Sequence, residues 1–249
     1  MSRGRKIIGF DRKIRLSWLD ATADWAAQGR SAAEIRARLD QLLDGQVAGE
    51  GSRSARGKTK TVLLHIWVLV PEHFLPLRDD GLALLRQRSG RDRLPLHWAM
   101  CVATYPFFRE LAATTGRLLG VQGTATLSQI ARRMTEAWGE RSTVIRAVQR
   151  LTRCFVDWGA LRETGERGVF NAPQRVIVAE HKDLGLWMLE AALSNCDAPM
   201  VPLRSLIGSS AFFPFSLSLS PRDVGGELQA GALPPAFLNE DMVMLRESR

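Results

Sequence analysis

Between Gly139 and Gly159 the chain sets Ser142, Thr143, Arg146, Gln149, Arg150 and Arg153 at intervals of about three to four residues, with no acid among them. Guanidinium and amide side chains pair in bidentate fashion with guanine and adenine edges, and one helix carrying them fits the major groove of duplex DNA. Ser142 and Thr143 would open that helix, where unpaired N–H groups and the positive end of the dipole attract a phosphate. The chemistry expected is recognition of a polyanion, without catalysis. Alanine at Arg146 and Arg150 is expected to weaken binding and flatten its salt dependence.

A helix must hold those side chains outward, and the intervening residues supply its other face. Val144, Ala147, Val148, Leu151, Cys154, Phe155 and Trp158 recur with helical period. Upstream, Leu127, Ile130, Ala131 and Met134 make a shorter helix that Gly139 ends. Downstream of Gly159, residues 160–164, the turn 165–168 and residues 169–172 spell strand, glycine-flanked turn, strand. Residues 126–173 therefore predict a winged helix-turn-helix, with Arg167 at the tip of the wing.

Overall charge points the same way. Thirty-four basic residues against 26 acidic give a net charge of +8, which favours polyanionic partners through phosphate neutralisation. The excess is clustered: Arg3, Arg5, Lys6, Arg12, Lys13 and Arg15 face only Asp11 near the N-terminus, and Arg53, Arg56, Lys58 and Lys60 form a second group. Each group is an expected phosphate-contacting segment, residues 1–12 as a basic arm. Like-charged runs also commonly stay unfolded. An apolar content of 45% over 249 residues is ample for one large or two modest domains.

The expected fold is mainly α, with a helical bundle over 13–119, the winged unit over 120–180, and a C-terminal helix with a small mixed α/β subdomain over 181–249. Its helices are expected over 13–28, from a capping box at Ser31 and Glu34, from about Lys58 to Pro71, over 78–88, over 95–119 with a kink at Pro106, and over 183–193. Residues 45–60 predict a flexible loop, and 120–126 a linker. Strands are expected near 175–178, 216–220 and 242–245.

Rival chemistries have weaker signals. Residues 51–59, ending Gly57-Lys58-Thr59, resemble a phosphate loop with one residue too many between the glycines and no buried strand before it. Glu180-His181-Lys182 with Asp157 upstream is the one metal-dependent nuclease pattern. The histidines, His65, His73, His97 and His181, have no metal-ligand spacing. The tryptophans and the well-separated Cys101, Cys154 and Cys196 suit a reduced core. No secretory signal opens the chain, and the longest apolar run, 62–71, contains His65 and falls short of the roughly 20 residues of a membrane span. A cytoplasmic protein with no membrane, metal, cofactor or small-molecule substrate is expected. RNA remains an alternative polyanion.

The order of parts resembles the BrxA proteins of bacteriophage-exclusion (BREX) defence systems. The matching stretches are the two helices over 21–36 broken at Gln28-Gly29-Arg30-Ser31, then Ala103-Thr104-Tyr105-Pro106-Phe107-Phe108-Arg109-Glu110, and the helix from Ser142-Thr143 to Trp158-Gly159-Ala160-Leu161. The likeness spans residues 14–161; the segment after Pro173 has no counterpart, and the 45–60 loop is longer and more basic. It implies a bundle similar to the NusB antitermination fold joined to a winged helix, in a non-enzymatic DNA-binding accessory protein of a phage-defence system. A scaffold that docks a larger defence subunit through the winged unit and the Phe212-Phe213-Pro214-Phe215 tail is the alternative.

Overall fold

Ser31 starts its helix as its sequence predicts. Its hydroxyl accepts the Glu34 amide at 3.2 Å, and the Glu34 carboxylate accepts the Ser31 amide at 2.9 Å, so two first-turn donors are satisfied reciprocally. This is helix α2 (Ala32–Leu43), preceded by α1 (Leu16–Ala27). The computed structural model describes residues 7–173, 177–179, 182–194, 201–217, 219, 236–239 and 242–244. Arg3, Arg5, Lys6, Glu180, His181 and Cys196 lie outside them.

Among the described residues the protein is mainly helical, with a small antiparallel sheet. After α2 come α3 (Ala55–Trp67), α4 (Leu75–Arg86), α5 (Leu94–Thr104), α6 (Pro106–Gln122), α7 (Leu127–Trp138), α8 (Ser142–Asp157), α9 (Lys182–Leu193) and α10 (Leu203–Ile207). Strands β1 (Thr124–Thr126), β2 (Arg162–Glu163) and β3 (Val169–Asn171) form an antiparallel sheet in the order β1-β3-β2. Further along, β4 (Ile177–Ala179) pairs in parallel with β6 (Phe215–Leu217), and β8 (Met242–Met244) lies between β5 (Val201–Pro202) and β7 (Ala236–Asn239).

Several boundaries depart from the sequence expectation, each for a local reason. Helix α1 begins at Leu16 rather than Lys13, because the backbone of Ile14 is spent on distant partners: its N–H donates to Cys154 Sγ and its carbonyl accepts from Trp158 Nε1. Helix α3 starts at Ala55, ahead of Lys58, because the Ser54 hydroxyl accepts the Gly57 amide at 3.0 Å. Gly57 is pressed against the preceding loop, and a Cβ there would lie 2.2 Å from the Gly51 carbonyl oxygen. The segment before this loop is helix α2, which removes the strand a phosphate loop needs. Pro106 divides two helices where a kink was expected. Its ring disfavours helical backbone at the residue before it, and Tyr105 is extended (φ −128°, ψ 96°). The expected linker after Leu119 is instead the end of α6 and strand β1, turned by Gly123 at φ 71°.

Helix α5 is buried along its whole length, with α3, α4, α6 and α9 packed around it. Trp98 on α5 ties the layers together, with ring centroids 5.0 Å from Phe108, 4.6 Å from Phe155 of α8 and 5.6 Å from Phe215. Helices α7 and α8 thus share one continuous core with the helices before them. The Phe212–Phe215 stretch is part of that core, not a docking tail: Phe212 and Phe215 are buried, Phe213 packs against the core, and Trp98 Nε1 donates to the Ala211 carbonyl at 2.9 Å. Five tryptophans, Trp18, Trp67, Trp98, Trp158 and Trp187, are buried. His97 is structural as well, accepting from Trp67 Nε1 at 3.0 Å and lying 2.9 Å from the Asp20 carboxylate through its other nitrogen. No helix of the described residues is long and apolar enough to cross a membrane.

Helix α9 packs against α4 and α5, and Trp187 Nε1 donates to the Leu77 carbonyl at 2.8 Å. Burial on this helix, assisted by the charge of Asp80, pushes the Glu190 carboxyl up to about 7 from an ordinary 4.5. The folded chain therefore holds this proton at pH values where the unfolded chain has released it. Stability falls as pH rises from about 4.5 through about 7, by about 1–3 kcal/mol from this group. Glu190→Gln is expected to raise the melting midpoint at pH 8 by several degrees and to leave it nearly unchanged at pH 4. Identical pH–stability curves for variant and parent in thermal melts would contradict this.

Candidate nucleic-acid interface

Residues 7–15, which carry Arg12, Lys13 and Arg15 of the basic run, are bolted to the fold. Phe10 is fully buried, its ring 5.2 Å from Tyr105 and 5.7 Å from Phe108. Gly9 has φ 68° and sits against the Tyr105 ring, where a Cβ would approach to 2.9 Å. Ile14 is buried too, and Lys13 pairs with Asp157 of α8 at 2.7 Å. Residues 7–15 therefore run along α8 as a fixed strap, where a basic arm was expected.

Helix α8 has two faces, as its sequence predicts. Val144, Ala147, Val148, Leu151, Cys154 and Phe155 are buried, and packing against α7 covers them with Ile130 and Met134. Burial in this core pushes the Cys154 thiol up to about 12, which makes it an inert apolar group. On the outer side, Ser142, Arg146, Gln149 and Arg153 are all exposed and, at 100° per residue, fall within about 60° of one another around the axis. Arg146 folds back on its own helix, its guanidinium 3.3 Å from the Ser142 carbonyl and 3.1 Å from the Ser142 hydroxyl, and pairs with no acid among the described residues. Gln149 and Arg153 have no side-chain partner among the described residues. No side chain caps the start of α8; the Val144 amide donates to the Arg141 carbonyl at 3.0 Å, which leaves the Ser142 and Thr143 amides for an outside acceptor.

The three-stranded sheet adjoins this helix pair. Strand β3 pairs with β1 through Thr124–Asn171 and Thr126–Val169, and with β2 through Arg162–Asn171. The Leu127 amide donates to the Gly168 carbonyl at 2.8 Å, which ties the β2–β3 turn to the start of α7. Arg162 and Arg167 are exposed on this hairpin, Arg167 in the turn itself.

The two basic loops behave differently from one another and from expectation. Arg56 pairs with Asp44 at 2.7 Å and donates to the Val47 carbonyl, and Lys60 is bound to Asp40; both side chains are mostly covered. These two side chains are engaged in ion pairs that tie α3 to α2 and to the residue that ends it. Arg53 and Lys58 remain exposed. Arg150 is also engaged: it donates to the Asp11 carbonyl at 2.7 Å and lies 3.7 Å from the Asp11 carboxylate. It faces the strap, on the flank of α8 rather than on its outer line.

That flank borders a cleft of about 360 Å³ lined by Asp11, Arg12, Lys58, Thr143, Arg146 and Arg150. Four cations and one acid meet there from three separate segments. Helical spacing exposes the Thr143, Arg146 and Arg150 part of this group, but Asp11 stands 139 residues from Arg150, and nothing in the sequence pairs them. Asp157, the upstream acid of the nuclease pattern, is held by Lys13. No group of three or more metal-ligating side chains occurs among the described residues.

The fold and site define a mainly helical protein whose α8 presents Arg146 and Arg153 on an exposed line with Ser142 and Gln149, near a small antiparallel sheet. No family model, curated protein or solved structure matches this chain.

Proposed function

We propose that residues 124–171 form a winged helix-turn-helix that binds duplex DNA, with α8 in the major groove and the β2–β3 hairpin as the wing. The observation that carries this reading is the exposed line of Ser142, Arg146, Gln149 and Arg153 on a helix whose opposite face is locked into the core. The β1-β3-β2 order supports it, because a hairpin that follows α8 in the chain and is tied by its turn to the start of α7 is the arrangement expected of a wing. Arg167 and Arg162 on the hairpin, with the exposed Arg53 before α3 and Lys58 in its first turn, are then set to meet backbone phosphates. Nothing in this chemistry calls for a metal, cofactor or catalytic group, and the protein acts as a non-enzymatic accessory. The resemblance to BrxA suggests a place in a bacterial phage-defence system.

A labelled duplex of about 20 base pairs, titrated by fluorescence anisotropy across increasing salt, tests the reading. Binding with a steep log–log salt dependence is expected, since each neutralised phosphate adds about 0.9 to the slope. Absence of binding by the full chain at low salt would overturn it.

A further inference from the structure

We propose that the cleft between the strap, the first turn of α3 and the first turn of α8 binds a phosphoryl group, with Asp11 as the internal anion that the phosphate displaces. The inference rests on the cleft alone, and a nucleic-acid backbone is one of two sources for the phosphate. Arg12, Lys58, Arg146 and Arg150 converge there with the hydroxyl of Thr143 and the uncapped start of α8. Against them stands a single carboxylate.

That carboxylate is a poor match for what surrounds it. Its two oxygens lie 3.4 Å from Arg12 Nε and 3.7 Å from an Arg150 nitrogen, both longer than the roughly 2.7–2.9 Å of a charge-assisted hydrogen bond. Arg12 Nε is closed off from solvent and has no hydrogen-bond partner among the described residues. A buried donor left in that state favours any acceptor that reaches it. Lys58 has no partner among the described residues and stands exposed at the rim of the cleft. A phosphate monoester offers more terminal oxygens and more charge than Asp11, and a diester equals Asp11 in both while presenting its oxygens in a tetrahedral rather than a planar array.

The cleft also continues into a second hollow of about 420 Å³, which shares Asp11, Lys58 and Thr143 and is walled by Ile8 and Val62. The organic part of a phosphate ester has room there. The ligand class is accordingly a phosphate mono- or diester, either a free nucleotide-like molecule or the sugar-phosphate backbone of a bound strand.

The test uses the full chain with AMP, adenosine and a duplex of about 20 base pairs as probes, against Lys58→Ala, Asp11→Asn and, outside the cleft, Arg153→Ala. Lys58→Ala is expected to weaken a phosphate-bearing probe on the order of tenfold, and Asp11→Asn to strengthen it by a similar factor, as for one charge-assisted contact. Adenosine should not bind. Responses confined to AMP assign the site to a free ester, and responses confined to the duplex assign it to the nucleic-acid backbone; either supports the proposal. Affinities for both probes unchanged in Lys58→Ala and Asp11→Asn, with parental melting curves, would overturn it. If Asp11→Asn melts early because the strap loosens, the exposed Lys58 decides the matter alone. Duplex binding that falls with Arg153→Ala but ignores Lys58→Ala and Asp11→Asn removes the cleft and leaves the groove reading standing. AMP binding that depends on Lys58, with no duplex binding at all, does the reverse.

Discussion

Duplex affinity is expected to fall by about two orders of magnitude when Arg146 and Arg153 are both replaced by alanine, since each good side-chain contact in a groove contributes about 1–3 kcal/mol. The log–log salt slope should drop by about 0.9 for every phosphate that the double variant no longer neutralises. The choice of pair follows from the geometry. Arg150 looked equivalent to Arg153 by spacing, but it is turned toward Asp11 and the strap, whereas Arg153 sits on the outer line with Ser142 and Gln149. Folding should be spared, because exposed side chains without acid partners usually change stability by less than about 0.5 kcal/mol. A double variant with parental affinity and parental slope in anisotropy titrations would mean that α8 is not the interface.

The second large effect is on stability. Phe10→Ala should cost about 3–5 kcal/mol, as expected for removing a fully buried ring. For a chain of this size each kcal/mol is about 2–4 °C in melting midpoint, so a fall of roughly 6–20 °C is expected in a thermal melt. The consequence reaches the site as well. Phe10 is adjacent to Asp11, whose carbonyl holds Arg150, so loosening the ring frees that arginine and disassembles the strap side of the cleft. A Phe10→Ala protein that melts like its parent would show that the strap is not anchored through this residue.

The contrast between α8 and the strap explains how much of the site was legible. The faces of α8 follow from a period of 3.6 residues, a local property that a few turns of sequence reveal, and burial of Val144, Val148, Leu151 and Phe155 agrees with it. The strap carries the opposite local signal. A basic run predicts an unfolded arm, and its two anchors, Phe10 and Ile14, are single apolar residues with no period to read. Their partners Tyr105, Phe108, Cys154 and Trp158 lie far along the chain.

The same division runs through the basic loop. Arg56 and Lys60 belong by composition to one cluster with Arg53 and Lys58, yet their carboxylate partners Asp44 and Asp40 are brought to them only by the packing of α2 on α3. Pro106 shows a subtler case. The residue type announced a disturbance, while the choice between a kink and a full break depended on the extended backbone of Tyr105, whose ring is wedged against Phe10.

Sequence by itself determined a mainly helical chain, the caps and glycine stops of its helices, a core rich in tryptophan, and a helix with one greasy and one cationic side. Tertiary structure alone decided which cations are spent on internal acids and which face outward, and it assembled Asp11, Arg12, Lys58 and Thr143 around one cleft. The reason is physical. Periodicity and capping act between residues a few positions apart, whereas charge pairing depends on distance in space, and only the folded chain sets that distance.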